Sequence, residues 1–346
     1  MMNDLKKDAG KLLIPDTPDD YISDLVLSDE IVDLGKCLLV TAWDGTLSIY
    51  EINSENGDRA NYNKSVNLIN RGQYENPIIC CCVVDFNIYV GTVQGEILRY
   101  DVATSQFVSV LQTQEDLANL AICKVFPYQV SGSPSCLICV SWDRTISVVD
   151  ITKGTVIMRI RLSEGSKILT ADCDSNQLII VETGHRLRLF KFPLRESDEG
   201  KSFNSALKYQ IRDVKILPDS KGYIISSIDG RVAVEFFNGS EKQFAFRCHR
   251  LDLKDTQFVF PVNTLAFCPD SSKVLTGGSD GTVSYWNLET RRKLKQFPKF
   301  NSNSVVKLIC DKDEFYVATS DDSFKTNATI TNDIDLQPSS LYMVPL

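Results

Sequence analysis

The feature that most constrains this chain is a repeat. Stretches 38–52, 88–102, 137–151, 177–192, 223–237, 273–288 and 315–330 each run from an apolar or β-branched segment through a sharp turn into alternating residues. At the turns stand Asp44-Gly45, Gln94-Gly95, Asp143-Arg144, Gly184-His185, Asp229-Gly230, Asp280-Gly281 and Asp321-Asp322, roughly 41 to 51 residues apart. That is the period of a four-stranded propeller blade. A single blade cannot bury both faces of its sheet, whereas a closed ring of blades buries nearly all of them and leaves only short edges. The spacing therefore predicts an all-β, seven-bladed β-propeller, a platform suited to binding.

Runs 21–26, 77–84, 121–126, 168–173, 209–217, 262–267 and 305–309 precede the seven turns in register and supply the inner strand of each blade. The last blade departs from the pattern. Stretch 324–338 is polar and Asn-rich where a strand should follow Asp322, so it reads as an inserted loop, with 341–344 as the third strand. The fourth strand then has to come from the other end of the chain, where 11–14 is the available apolar segment. Pairing of the N- and C-terminal strands inside one blade closes the ring and removes an open edge. Residues 11–346 are expected to form one propeller and 1–10 a flexible extension. Surface loops are expected at 54–64, 131–135, 196–205, 238–242 and 251–257, where turn-forming and polar residues cluster.

Composition narrows the function classes. A hydrophobic content of 43% suits a packed core, and a net charge of −8 argues against general binding to nucleic acid or membrane, which needs clustered Lys and Arg. Several of the eleven Cys lie inside apolar runs (Cys37, Cys80, Cys81, Cys82, Cys310), where thiols act as small hydrophobes, and they point to a reducing compartment. The N-terminal segment, with Lys6, Lys7, Asp16, Asp19 and Asp20, lacks the apolar core of a secretory signal. No stretch has the length of a membrane-crossing helix. A soluble chain of the cytosol or nucleus is expected.

Catalytic chemistry has little to work with. His249, between Arg247 and Arg250, has no carboxylate or Cys at ligand spacing, and His185 is the only other histidine; a structural or solvated role is expected for both. Cys136 and Cys139 form a lone C-x-x-C inside one expected strand, which argues against zinc. The consecutive Cys80, Cys81 and Cys82 alternate faces and cannot converge on one ion. No phosphate-cradling glycine loop or G-x-S-x-G turn occurs. Asp44, Asp143, Asp229 and Asp280 read as turn formers. No enzyme activity, cofactor or metal is expected.

Two tryptophans and a basic cluster remain. WD repeats carry a Trp-Asp pair at the end of the third strand, where the ring is buried, but Trp43-Asp44 and Trp142-Asp143 stand one turn earlier, at the hairpin. There an indole lies on a rim of the propeller and either anchors a partner or packs on neighbouring blades. Trp286-Asn287 occupies the usual buried place. Lys208, Arg212, Arg231, Arg247, Arg250 and Lys254 crowd the fifth blade and the entry to the sixth. Such a group is either a receptor for carboxylate or phosphate or a set of solvated edges paired with Asp213, Glu235 and Asp252.

The segments AWDG (42–45), VGTVQGEIL (90–98), LKYQIRD (207–213), SIDGRVAVE (227–235) and FAFRCHR (244–250) together resemble the WD-repeat propellers of the mitotic (spindle-assembly) checkpoint, the budding-uninhibited-by-benzimidazole group. The likeness runs from Tyr21 to Met343, is most specific over 207–250, and is closest to a budding-yeast form. It implies a non-catalytic adaptor of the nucleus and, in mitosis, of the kinetochore. Members of that group bind a short GLEBS segment in the checkpoint kinase and in its pseudokinase-like relative, join the mitotic checkpoint complex, and dock on phosphorylated MELT repeats of the outer-kinetochore scaffold. By position, Trp43, Trp142 and Arg212 would grip the GLEBS segment, and Arg231 and Arg247 would pair with the phosphothreonine and acidic residue of the MELT repeat. No direct contact with nucleic acid or membrane is implied. Two rivals share the scaffold: a sister propeller that binds a nucleoporin GLEBS segment in messenger-RNA export, and a substrate receptor of a ubiquitin ligase. The Arg231 and Arg247 pair favours the checkpoint group.

Overall fold

The computed structural model describes residues 10–31, 34–54, 64–113, 116–129, 135–163, 167–238, 242–270, 272–325 and 336–346. Their strands form seven four-stranded antiparallel sheets and one two-stranded hairpin. Strand β1 (Leu12–Ile14) belongs to the last blade. Blade 1 comprises β2 (Ile22–Ser28), β3 (Cys37–Ala42), β4 (Thr46–Ser54) and β5 (Lys64–Gln73), and blade 2 comprises β6 (Ile78–Val84), β7 (Asn87–Thr92), β8 (Ile97–Asp101) and β9 (Gln106–Ser109). Blade 3 is built from β10 (Ile122–Tyr128), β11 (Cys136–Ser141), β12 (Thr145–Asp150) and β13 (Thr155–Arg161), and blade 4 from β14 (Ile168–Cys173), β15 (Gln177–Glu182), β16 (Arg186–Lys191) and β17 (Lys201–Asn204). Blade 5 holds β18 (Ile211–Ile216), β19 (Gly222–Ser227), β20 (Arg231–Phe236) and β21 (Phe244–Arg247). The hairpin β22 (Arg250–Asp252) and β23 (Gln257–Val259) follows, outside any blade. Blade 6 holds β24 (Val262–Phe267), β25 (Lys273–Gly278), β26 (Val283–Asn287) and β27 (Arg292–Phe297), and blade 7 holds β28 (Ser304–Cys310), β29 (Glu314–Ser320), β30 (Ser340–Pro345) and the returning β1.

The middle strands are apolar on both faces because each blade is sandwiched between two others. β3, β11, β15, β19 and β29 are buried along their whole length. The core divides into seven clusters, each joining two successive blades. Cys81 packs in the cluster between blades 1 and 2, while Cys80 and Cys82 pack between blades 2 and 3. Cys136 and Cys139 likewise enter different clusters. These thiols fill core volume, and burial pushes those of Cys80, Cys81, Cys82 and Cys139 well above their usual pKa.

The ring closes as the sequence predicts: Leu12, Leu13 and Ile14 pair antiparallel with Met343, Tyr342 and Leu341. Two expected loops are corrected. Stretch 196–205 contains β17, whose pattern is exposed at three of four residues and so shows no apolar alternation. Stretch 251–257 lies within the β22–β23 hairpin, which exposes Leu251, Leu253, Phe258 and Val259. Parts of the other expected loops (55–63, 131–134, 239–241 and 326–335), and 1–9 of the expected extension, lie outside the described residues.

In every blade the inner strand shifts register against the second strand near its start, at Ile22/Asp24, Ile78/Cys80, Ile122/Lys124, Ile168/Thr170, Ile211/Asp213, Val262/Thr264 and Val305/Lys307. Such a bulge re-aims the residue that follows it. Asp24, Lys124, Asp213 and Lys307 stand at these positions and, with Asp172 and Lys215, line a channel cavity of about 250 Å³. Lys124 Nζ lies 3.3 Å from both Asp24 oxygens, Lys307 Nζ 3.8 Å from Asp24, and Lys215 Nζ 3.1 Å from Asp172. Burial acts to raise the pKa of Asp24, but the ammonium groups of Lys124, Lys307 and Lys215 overcome it and hold the carboxyl below its usual range.

Candidate functional site

Antiparallel order places every turn between second and third strands on one face of the ring, together with the passage from each blade to the next. Trp43 follows β3, Trp142 follows β11, Arg212 is the second residue of β18, Arg231 opens β20 and Arg247 closes β21. All five sequence-predicted residues therefore lie on this turn face. They come from blades 1, 3 and 5, so a ligand touching all of them has to span several blades of that face.

Arg231 and Arg247 are direct cross-strand partners in the β20–β21 ladder. Two cations in that relation repel, and the fold offers them little relief. Asp229 sits 3.0 Å from Arg231, while Arg247 is exposed and forms no ion pair among the described residues. Arg250 completes the group: it donates to the Gln257 side chain (2.7 Å) and the Asp229 carbonyl (2.8 Å), and its buried Nε has no hydrogen-bond partner. Of the three guanidinium groups only that of Arg231 meets a carboxylate among the described residues, while Arg250 holds the Asp229 main chain. The carboxylates expected to pair with the basic cluster are engaged elsewhere. Asp213 accepts the Leu265 N–H, Glu235 the Tyr223 hydroxyl and Ala206 N–H, and Asp252 the Gln257 amide. Gly230 makes the turn that delivers Arg231, for its φ is +64° and a Cβ there would stand 2.8 Å from the Cys248 carbonyl oxygen.

The two hairpin indoles are half-buried. Trp142 packs its apolar side on the cluster between blades 3 and 4 and forms a wall of a cleft of about 420 Å³. Arg144, Arg161 and Lys167 line the same cleft, and none of them forms a salt bridge among the described residues. Sequence reasoning missed these three cations because they come from a turn, an outer strand and an inter-blade loop that only the ring brings together. The Trp43 backbone N–H donates to the Tyr21 carbonyl (3.0 Å). The Tyr21 hydroxyl is pushed up to about 12, chiefly by burial, with Arg212 opposing and Asp322 adding to the shift. Tyr21 therefore links the surroundings of Trp43 to those of Arg212, whose own side chain reaches Asn263 at 3.4 Å.

His249 is structural. Its Nε2 lies 2.9 Å from Thr276 Oγ1 and its Nδ1 2.9 Å from Asp280, while the Trp286 indole N–H donates to the same Thr276 oxygen (3.1 Å). The Asp280 carboxylate accepts, so Nδ1 is the donor of that bond, and the imidazole is held between blades 5 and 6. Asp280, 31 residues away, is the carboxylate that local spacing could not supply. Among the described residues no group of three or more His, Cys, Asp or Glu could hold a metal ion, and no helix is long and apolar enough to cross a membrane.

Residues 247–287, which contain this network, match the WD domain, G-beta repeat family. The chain is 31% identical over 288 residues to Protein Rae1 of Drosophila melanogaster, covering 80% of this chain and 78% of that one. It is 28% identical to the mitotic checkpoint protein bub3 of Dictyostelium discoideum, over 85% of this chain and 83% of the relative. The Poly(A)+ RNA export protein of Schizosaccharomyces pombe is also 28% identical, over 97% and 91%. Among solved structures, that of U3-55K superposes with a TM-score of 0.73 over 98% of this chain and 99% of the other at 15% identity, which speaks to the fold. The chain belongs to the WD-repeat propeller family in which Rae1 and the bub3 checkpoint proteins are found.

Proposed function

We propose that this protein is a non-catalytic adaptor of the spindle-assembly checkpoint, working in the nucleus and at the kinetochore. It holds a GLEBS segment of the checkpoint kinase, or of that kinase's pseudokinase-like relative, and reads phosphorylated MELT repeats of the outer-kinetochore scaffold. The observation that carries the reading is the Arg231–Arg247 pair. Two cations opposed across a ladder, beside a third and with Asp229 the one carboxylate paired to them among the described residues, leave an excess of positive charge on a molecule whose net charge is −8. A phosphothreonine supplies nearly two negative charges and three acceptor oxygens for that excess. On the same face, Trp43, Trp142 and Arg212 form a separate contact set. The Trp142 cleft, with three cations that form no salt bridge among the described residues, suits a segment that brings an apolar anchor next to acidic residues.

A labelled MELT-type peptide should bind about tenfold or more tightly when phosphorylated, since hydrogen bonds to charged groups contribute about 1.5–3 kcal/mol each. Arg231→Ala and Arg247→Ala should each erase most of that preference without disturbing the fold. Equal affinity of the two peptides for the wild-type protein, measured by fluorescence anisotropy, removes the reading.

The GLEBS contact has its own test. Trp43→Ala should weaken a GLEBS peptide by about 2 kcal/mol or more, as aromatic anchors do. Trp142→Ala should weaken it too and also lower stability, because that indole is part of an inter-blade cluster. Undiminished binding by Trp43→Ala would place the segment elsewhere on the ring.

A second reading has support in the similarity to the Poly(A)+ RNA export protein and to Rae1. In that reading the same face holds a nucleoporin segment and phosphate preference is absent. The phosphopeptide titration separates the two, and affinity purification with mass spectrometry should recover kinase and scaffold rather than pore proteins.

A further inference from the structure

Strand β27 is the outer strand of blade 6. One edge pairs with β26 and the other carries no strand among the described residues. The segment 291–299 reads RRKLKQFPK, with five cations and no carboxylate in nine residues. Residues 291–296 are all exposed, including Leu294. None of Arg291, Arg292, Lys293, Lys295 and Lys299 forms a salt bridge among the described residues. Their described contacts are uncharged: Arg291 lies over the Phe244 ring (4.4 Å), Lys295 over the Phe297 ring (4.3 Å), and Lys293 donates to Gln296 (2.8 Å). On two other outer strands a cation does find a carboxylate, for Lys64 of β5 meets Glu314 and Arg159 of β13 meets Asp116.

We propose that the free edge of β27 is a docking strand for an extended acidic peptide segment of a partner protein. Cations along an edge strand keep it from pairing with a second copy of itself, because like charges would then face each other. The same charges favour a strand that carries carboxylates, and the open backbone edge supplies the main-chain hydrogen bonds of strand addition. The molecule as a whole is acidic, with a net charge of −8, so the stripe is a local excess of positive charge for such a segment. A polynucleotide fits less well. It has no backbone to match the ladder, and the aromatic ring at the stripe, Phe297, is buried and offers no base a surface to stack on. The site lies on the rim of blade 6, apart from the turn face, so it stands or falls independently of the adaptor reading.

The test uses the full chain and three probes: a ten-residue peptide alternating Glu with Thr and Val, the same peptide with Gln for Glu, and a ten-nucleotide single-stranded RNA. The Glu peptide should bind at least tenfold more tightly than the Gln peptide and should slow hydrogen exchange of the β27 amides. The triple variant Arg292→Glu, Lys293→Glu, Lys295→Glu should lose that binding while melting at the wild-type temperature. The milder Lys293→Gln, Lys295→Gln variant, expected to weaken binding severalfold, serves if the triple variant unfolds. Binding that survives charge reversal, RNA binding tighter than the Glu peptide, or no exchange protection on β27 would each overturn the proposal.

Discussion

Asp24→Ala should lower the unfolding free energy by about 3–5 kcal/mol, the usual cost of removing one partner from a buried ion pair. Asp24 is 8% exposed and is the carboxylate that both Lys124 and Lys307 face in the channel. Without it two ammonium groups are left close together in a confined space. Lys307 already reflects the strain of that setting, since burial and the nearby Lys124 hold its pKa below the lysine norm. The pH dependence has a definite sign. The folded-state pKa of Asp24 is depressed, so its contribution is complete above the unfolded value of about 3.9 and is lost as pH falls through the folded value. The gap between wild type and Asp24→Ala should therefore be widest near neutrality and narrow below about pH 4. Urea melts of both proteins at neutral and acid pH measure it. A difference under about 1 kcal/mol at neutral pH, the range of solvated surface pairs, would mean that water screens the channel.

The ring itself is legible because its signals are local. Turn chemistry such as Asp229-Gly230 and Asp280-Gly281 sits between apolar runs within a few residues, and the seven inner strands follow from the same register. Outer strands are harder to read. β17 (KSFN) is exposed on nearly every residue, so no alternation marks it as a strand. The β22–β23 hairpin hides behind charges for the same reason, and only its exposed Leu251, Leu253 and Phe258 hint at order. Long-range electrostatics are not legible at all. Asp24 meets Lys124 from 100 residues away, and His249 meets Asp280 from 31 away. The sequence brings Arg231 and Arg247 to one cluster by composition, but their opposition across a ladder depends on strand pairing. The tryptophans are a mixed case. Their place at the hairpins is read directly, whereas the packing of Trp142 on the blade 3–4 cluster depends on how neighbouring blades meet.

Removing residues 1–15 should destabilise the ring by at least as much as Ile14→Ala, for which about 2–5 kcal/mol is expected for a buried isoleucine. Ile14 is 1% exposed and sits in the cluster that joins blade 7 to blade 1. The deletion removes more than that side chain. It also takes away the three-residue pairing with Leu341, Tyr342 and Met343, and the Lys11 ammonium that reaches the carbonyls of Pro298 and Lys299. What it uncovers is an edge. β30 is rich in buried apolar residues, with Leu341, Met343 and Val344 all inside, and an unpaired apolar edge recruits other chains. The two variants should therefore differ in kind. Ile14→Ala should melt earlier yet stay monomeric, while the truncated chain should melt earlier and associate as its concentration rises. Thermal melts together with size-exclusion chromatography at several concentrations distinguish them. A truncated protein with wild-type melting would mean that blade 7 holds with three strands and that the returning strand does not secure the ring.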